Sequence, residues 1–535
     1  MIKLNLLYFT RSTSLIKMSK KFYITTSISY ANASPHMGHA YEAVLVDIIA
    51  RFKREEGFDT FFLTGTDEHG SKIMRAAQKK DVSTQVFVNE NVKTFKDLYE
   101  LLEISNDEFI RTTDKKKHWP GAQALWTKIF AQKDIYKDKY NGLYCVGCER
   151  FITEKELVEG LCPYHDVAPE KVEEENYFFK LSKYTDIIKK MIESDELLIT
   201  PSSRKNEVLS ILGEGLEDVS VSRPESDIPW GVPVPNDKTQ MMYVWSDALA
   251  NYISALGYGR KDDDNFKKFW PANLHVIGKD ILRFHALIWP AMLLSAGLPL
   301  PKEILVHGFL TSGGKKMSKS LGNVIDPNEY IKKYGSQAFR YYLARKVSPF
   351  EDGDFTAEKF LETYNADLAN GLGNLVSRTL KMAEQYFNGE VKQHEINSVL
   401  LKNKTETVSG IRETEGYSIP YVIENNILPK YTEKMDSLHI HQAMDVAWTL
   451  IKTLDGYVTD YEPFKLIKED KEKTEDVLWS LLYGIHFVAL MIKPVMPKTS
   501  EEILSLVGAE LDDKSIPTSF KTKSLKKPLF ARVEK

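Results

Sequence analysis

The chain has 535 residues, too many for one hydrophobic core, and its 43% hydrophobic and 27% charged residues are ordinary for a soluble protein. A formal net charge of −4 gives no global nucleic-acid signal, so any RNA contact must come from local patches. No apolar run approaches the length of a membrane span, and a cytoplasmic location is the expectation. Residues 1–18 read as an extension ahead of the first folded element. Met1 to Lys17 is basic and free of acids, and Arg11, Ser12, Thr13 and Ser14 give it a loose transit-peptide composition. It lacks a continuous apolar segment and a small-residue cleavage site, so an upstream start codon or a disordered tail is preferred to targeting.

Residues 22–28 are β-prone, and apolar residues recur at helical spacing through 40–55. Between them lies Pro35-His36-Met37-Gly38-His39, where a strand turns into a helix. Backbone N–H groups and the positive helix end favour an anion there. Gly38 lets a ligand approach the backbone, and His36 and His39 can donate to phosphate oxygens. Taken alone, the pair also fits a histidine cap or half a zinc site. The next β-like run, 60–63, leads into Thr64-Gly65-Thr66-Asp67-Glu68-His69-Gly70. A carboxylate at a strand end, Asp67, can receive a ligand's ammonium group or cap the helix that follows.

All three cysteines fall in one stretch, which argues against a disulfide framework. Cys145-x2-Cys148 followed by Cys162-x2-His165 gives four ligands in paired knuckles, a set that fills a tetrahedral Zn2+ site. Such a site has no open position, so its role is structural; the competing reading is a group of buried free thiols. Further on, Trp245 and Tyr252 are seven apart in Tyr243-Val244-Trp245-Ser246-Asp247-Ala248-Leu249 and its continuation, hence on one helical face. That stripe fits plain core as well as a pocket. Residues 275–285 run from strand to helix: Gly278 permits close approach of a nucleotide, and Asp280 can accept two hydrogen bonds from ribose hydroxyls. His285 could be a satisfied core histidine.

Residues 308–314 look like a P-loop, but Gly314 stands where the required Lys should be, so a Walker-type NTPase is rejected. Directly afterwards comes Lys316-Met317-Ser318-Lys319-Ser320, two ammonium groups on a glycine-loosened loop, suited to following charge that moves during phosphoryl chemistry. Lys332, Lys333, Arg340, Arg345 and Lys346 follow and form either an RNA patch or a charged helix face. The remaining sequence changes character. Residues 360–387 and 440–494 carry long helical apolar patterns, with a polar interval at 402–418, and predict a helical bundle. Asp367, Gly371, Asn374 and Arg378 share one helical stripe in that pattern.

Together, Pro35–His39 and Lys316–Ser320 resemble the two signature motifs of the class I aminoacyl-tRNA synthetases, and the second matches letter for letter. The segments around Asp67, Trp245 and Asp280 sharpen the resemblance to the methionine-specific branch of that class, over nearly the whole chain. The resemblance implies a doubly wound parallel α/β catalytic domain carrying a zinc-bearing insertion, followed by a helical anticodon-binding domain. The expected boundaries are 19–120 and 236–330 for the catalytic halves, 121–235 for the insertion, 331–362 for a linking region and 363–535 for the bundle. It implies that His36, Gly38, His39, Gly278, Asp280 and Lys319 bind ATP, with His36, His39, Lys316 and Lys319 serving catalysis. Asp67 would hold the amino group of methionine, while Ile28, Tyr30, Trp245, Ala248, Tyr252, Ile281, Phe284 and His285 enclose its side chain. Asn374 and Arg378 would bond the anticodon, and Phe464 stands where the family has the Trp on which the first anticodon base stacks.

The reaction expected is methionine activation with Mg2+-ATP and transfer to the 3′ end of tRNA(Met). Homocysteine lacks only a methyl group, worth about 1–3 kcal/mol in an apolar pocket, so binding alone discriminates imperfectly. A monomer is expected. The alternatives are a synthetase for another amino acid, which the pocket residues disfavour, and a catalytically silent tRNA-binding protein, for which His36, His39, Asp280 and Lys319 together would be superfluous.

Overall fold

Short apolar strands separated by helices build a parallel sheet with its motifs at one end. The structure, a computed structural model, describes residues 20–146, 150–152, 154–163, 167–317, 323, 325–394, 399–407, 410–508 and 517–534. The extension of residues 1–18, Cys148, His165 and Lys319 therefore lie outside the described residues. The described chain divides into two units, one of residues 20–50 and 58–309, the other of 51–57 and the described residues from 310 onward.

In the first unit, β1 (Lys21–Thr25), β2 (Ser29–Tyr30), α1 (Met37–Glu55), β3 (Asp59–Asp67), α2 (Ser71–Lys79), α3 (Thr84–Leu101), β4 (Glu108–Arg111) and α4 (Trp119–Ala131) follow one another. β1 pairs in parallel with β3 on one side (Ile24 opposite Phe62) and with the strand Leu274–Gly278 on the other (Ile24 opposite Leu274). That strand is followed by Glu303–His307 and then Leu198–Thr200, while β4 lies outside β3. The order of connection therefore reverses between β1 and Leu274–Gly278. In open α/β sheets the crevice beyond the strand C-termini at such a switch point is where ligands bind. Tyr23, Ile24, Phe62 and Leu63 are fully buried on this sheet, each worth about 1.5–3 kcal/mol over exposure. Helix α1 is apolar nearly all round, as a helix buried on the sheet requires, and its one buried carboxylate, Asp47, accepts from the N–H (2.7 Å) and hydroxyl (2.6 Å) of Ser105.

The segment between α4 and the strand Leu274–Gly278 forms an antiparallel sheet around the long hairpin Ile135–Cys145 with Glu170–Phe179, and a smaller three-stranded sheet ending at Asp237–Met242. The second unit begins with a three-stranded sheet of Leu310–Ser312, Lys315–Lys316 and Gly353–Asp354 and continues into helices, including Asn374–Phe387, Ile440–Tyr461 and Lys471–Ile492. The α/β sheet and the helical second part are as the sequence predicts. Lys471–Ile492 is long and apolar enough to cross a membrane, contrary to the expectation from sequence, but nearly all of it from Asp476 onward is buried as the core helix of the bundle. The polar interval after residue 402 contains an antiparallel hairpin, Lys402–Thr407 with Gly410–Glu415.

Candidate functional site

The two signature histidines begin α1, beyond the end of β1. His36 is exposed and His39 half-buried, and their rings stack with centroids 3.8 Å apart. The Gly38 N–H donates to His36 Nδ1 (3.0 Å), and the His36 N–H donates to His39 Nδ1 (3.1 Å). With Nδ1 accepting in both rings, each neutral imidazole carries its proton on Nε2, as a donor. Loss of surrounding water and the neighbouring His36 hold the His39 pKa well below its ordinary value, which keeps it neutral. A Cβ on Gly38 would lie 3.0 Å from His36 Cε1, so glycine at position 38 lets the His36 ring keep this place.

Across the switch point, Gly278 ends its strand and Asp280 is exposed on the following turn. A Cβ on Gly278 would meet Asp280 Oδ1 at 2.8 Å, so glycine leaves room for that carboxylate to fold over the strand end. Beneath it lies a pair that the sequence reading missed. His307 Nε2 is 2.9 Å from Glu42 Oε2, and its Nδ1 is 2.8 Å from the Gly308 carbonyl. Both ring nitrogens face acceptors, so the ring is an imidazolium. Burial alone would lower its pKa, but Glu42 and the Gly308 carbonyl outweigh that and raise it. The other oxygen of Glu42 accepts from the N–H (2.6 Å) and hydroxyl (2.7 Å) of Ser27, which ties α1 to the end of β1.

Asp67 ends β3 and is buried, with Tyr30 directly opposite it in β2. Its Oδ1 lies 3.4 Å from the His69 N–H and 3.5 Å from Thr112 Oγ1. Trp245 stacks on Phe284 with centroids 3.6 Å apart and planes 12° from parallel. The Tyr252 hydroxyl is 2.7 Å from His285 Nε2, whose Nδ1 is 3.0 Å from the Ile281 carbonyl. Because Nδ1 must donate to that carbonyl, Nε2 accepts from Tyr252. Both nitrogens of His285 are thus satisfied inside the protein, as the core reading has it, and burial lowers its pKa to about 4. The one-helix expectation for Trp245 and Tyr252 fails, since Val244–Ala248 and Asn251–Ser254 are separate helices. The two rings nevertheless reach adjacent residues, Phe284 and His285, which lie on a π-helical turn, Phe284–Ile288. A wider turn re-aims side chains in a way that 3.6-residue periodicity cannot predict. Ala248 is buried, whereas Ile28 and Ile281 are only partly so.

The four expected zinc ligands are described in part. Cys145 and Cys162 are fully buried and share one small cluster with Ile152. Among the described residues no group of three or more metal-ligating side chains occurs. Lys316 closes the hairpin Leu310–Ser312 with Lys315–Lys316, its backbone opposite Thr311. In the second unit, Asn374 and Arg378 are exposed on one face of Asn374–Phe387, and Arg378 Nη1 is 3.5 Å from Asp455 Oδ1. Phe464 is 44% exposed on the short helix after Ile440–Tyr461, the helix that carries Asp455. The four-residue stripe is broken: Asp367 and Gly371 lie in a π-helical stretch, Tyr364–Gly373, and Asp367 pairs with Arg345 at 2.9 Å. The basic patch after the signature loop also loses members. Arg340 is fully buried and donates to the carbonyls of Val495 (2.7 Å) and Pro494 (3.0 Å), while Arg345 is held between Asp367 and Asp445.

A family model described as tRNA synthetases class I (M) matches residues 22–169 and 165–380. Similar curated proteins include a methionine–tRNA ligase of Thermotoga maritima, 45% identical over 92% of this chain and 76% of its own length. Another, from Rhizobium meliloti, is 42% identical over 92% of each chain. Among solved structures, Mycobacterium tuberculosis methionyl-tRNA synthetase in complex with methionyl-adenylate superimposes with a TM-score of 0.88, at 38% identity, over 96% of this chain and all (100%) of that one. The apo form of the same enzyme gives a TM-score of 0.83 at 34% identity, over 98% and 100% of the two chains.

Proposed function

Since the chain belongs to the methionine–tRNA ligases, a class I aminoacyl-tRNA synthetase family, we propose how its own residues divide the work of that reaction. It activates methionine with ATP, supplied with Mg2+, to methionyl-adenylate, and transfers the methionyl group to tRNA(Met) for translation. The observation that carries the assignment of residues is their convergence. His36 and His39 follow β1, Asp67 ends β3, and Gly278 ends the strand beyond the switch point with Asp280 on the turn after it.

In the first step Asp67 holds the ammonium of methionine. Tyr30, Trp245, Ala248, Tyr252, Phe284 and His285, with Ile28 and Ile281, surround its thioether. The substrate carboxylate is ionised at neutral pH, so no general base is required. It attacks the α-phosphorus in line, and pyrophosphate leaves. Asp280 accepts from the ribose hydroxyls, and Gly278 lets the nucleotide lie close to the backbone. The Nε2–H donors of His36 and His39 meet charge developing on the phosphates, with Lys319 and Lys316 of the signature loop serving the same charge. In the second step the 2′-hydroxyl of the terminal adenosine attacks the acyl carbon and AMP leaves.

Cys145 and Cys162, brought buried to one cluster, fit half of a thiolate zinc site that Cys148 and His165 would complete; zinc there closes the knuckle and takes no part in the reaction. Asn374, Arg378 and Phe464 receive the anticodon, and the domain boundaries given above follow the same reading. A cytoplasmic monomer is the working state. ATP–pyrophosphate exchange, screened across the amino acids, tests the reading: methionine alone should support exchange, and equal exchange with another amino acid would overturn it.

A further inference from the structure

His69 lies inside the motif that carries Asp67, yet the reaction assigns it nothing. Two of its polar connections lead to proposed methionine-site residues, and the third leads to the helix that carries two more. The backbone N–H points at Asp67 Oδ1 (3.4 Å), the carbonyl accepts from the Tyr30 hydroxyl (2.7 Å), and the ring Nδ1 lies 2.6 Å from Asp247 Oδ2. Asp247 is on the same short helix as Trp245 and Ala248 and is fully buried. Its other oxygen is 2.7 Å from His118 Nε2, and His118 Nδ1 is 2.9 Å from Ser254 Oγ, on the helix of Tyr252.

A carboxylate without water must have both oxygens satisfied. Burial alone would raise the pKa of Asp247, but His69 and His118 hold it down to about 2, so it is a carboxylate at every working pH. The neighbour in the motif, Glu68, anchors the same loop from the other side: Arg111 Nε and Nη2 each lie 2.7 Å from its carboxylate, and its carbonyl accepts from Trp230 Nε1 (2.6 Å). The loop that presents Asp67 is therefore clamped twice, and only the His69 clamp reaches the elements that enclose the substrate side chain.

We propose that His69 is a positioning residue for methionine, tying the carboxylate that receives the ammonium to the helix that carries the aromatic wall through Asp247. The role assigned to it needs no direct contact with substrate or nucleotide, and the proposal rests on the methionine site described above. Its effect belongs to methionine binding, since the ATP-facing residues that follow β1 and those at the end of Leu274–Gly278 and on the turn after it share none of these bonds.

The test measures pyrophosphate exchange on the full chain with methionine and ATP varied separately. H69A should raise the methionine KM about tenfold or more while the ATP KM stays within about twofold. H69N, whose amide nitrogen falls near the position of Nδ1, should recover it to within about threefold of the parent. On a D67N background, H69A should add less than about threefold, because the carboxylate it positions is already gone. If H69A does not fold, H69Q, whose amide reaches beyond the Nδ1 position, is held to the same expectations. An unchanged methionine KM, equal rises in both KM values, or an H69N as impaired as H69A overturns the proposal. If D67N itself leaves the methionine KM unchanged, the methionine-site assignment fails and the tether with it. A defective D67N beside a silent H69A removes the tether alone.

Discussion

Replacing Tyr252 by Phe deletes one oxygen, and the surrounding geometry fixes what that oxygen does. His285 Nδ1 donates to the Ile281 carbonyl, so its Nε2 can only accept, and the Tyr252 hydroxyl at 2.7 Å is its donor. Tyr252 is 1% and His285 2% exposed, so no water can replace the lost donor without rearrangement. A buried acceptor stripped of its partner costs about 1–3 kcal/mol, and Tyr252→Phe should destabilise the first unit by that amount. The His285 pKa of about 4 keeps the ring neutral through the physiological range, so the loss should not vary with pH above pH 6. Since both rings border the proposed thioether pocket, the methionine KM should rise about tenfold, equivalent to about 1.4 kcal/mol. Urea unfolding of Tyr252→Phe, His285→Leu and the double variant measures the coupling, expected at about 1 kcal/mol or more because the double variant leaves neither group orphaned. Additive losses, or a Tyr252→Phe variant within about 0.5 kcal/mol of the parent with an unchanged KM, would refute the reasoning.

Three further outcomes follow from other residues. The raised pKa of His307 stabilises the native state fully below the unfolded value of about 6.5, and that contribution is lost as pH rises through the folded value, so the first unit should weaken on the alkaline side. His307→Gln should flatten that part of the stability–pH curve; an identical slope in the variant contradicts an imidazolium there. Metal analysis of purified protein should find one zinc per chain, with Cys145→Ser lowering both the zinc content and the thermal midpoint, whereas a metal-free parent would leave the cysteines as buried thiols. Phe464→Ala should weaken aminoacylation of tRNA(Met) and leave pyrophosphate exchange intact, and Phe464→Trp should tighten tRNA binding; transcripts with normal and altered anticodons charged equally by Phe464→Ala would contradict an anticodon contact.

The sequence carried the reaction further than the shape. The roles proposed for His36, His39, Asp67, Gly278, Asp280 and the signature lysines rest on residue type at short spacing, on which phosphate and ammonium recognition depends, and short spacing survives in one dimension. The sheet and the bundle were legible for a related reason, since periodicity reports which face is buried. What failed was everything set by distant partners. Arg340, read as part of an RNA patch or a charged helix face, is buried because the turn after Lys471–Ile492 offers it carbonyls 154 and 155 residues away. Trp245 and Tyr252 were read onto one helix, and the chain instead breaks between them while the π turn brings Phe284 and His285 to both. His69 and Asp247 stood in plain view within two motifs, but a carboxylate and an imidazole 178 residues apart have no mutual signal until the fold brings them to 2.6 Å. By itself, then, the sequence determined the family to which this protein belongs and the reaction that goes with it. The tertiary structure decided which of its polar groups are spent holding the others in place, because burial and partnership are properties of the packed chain.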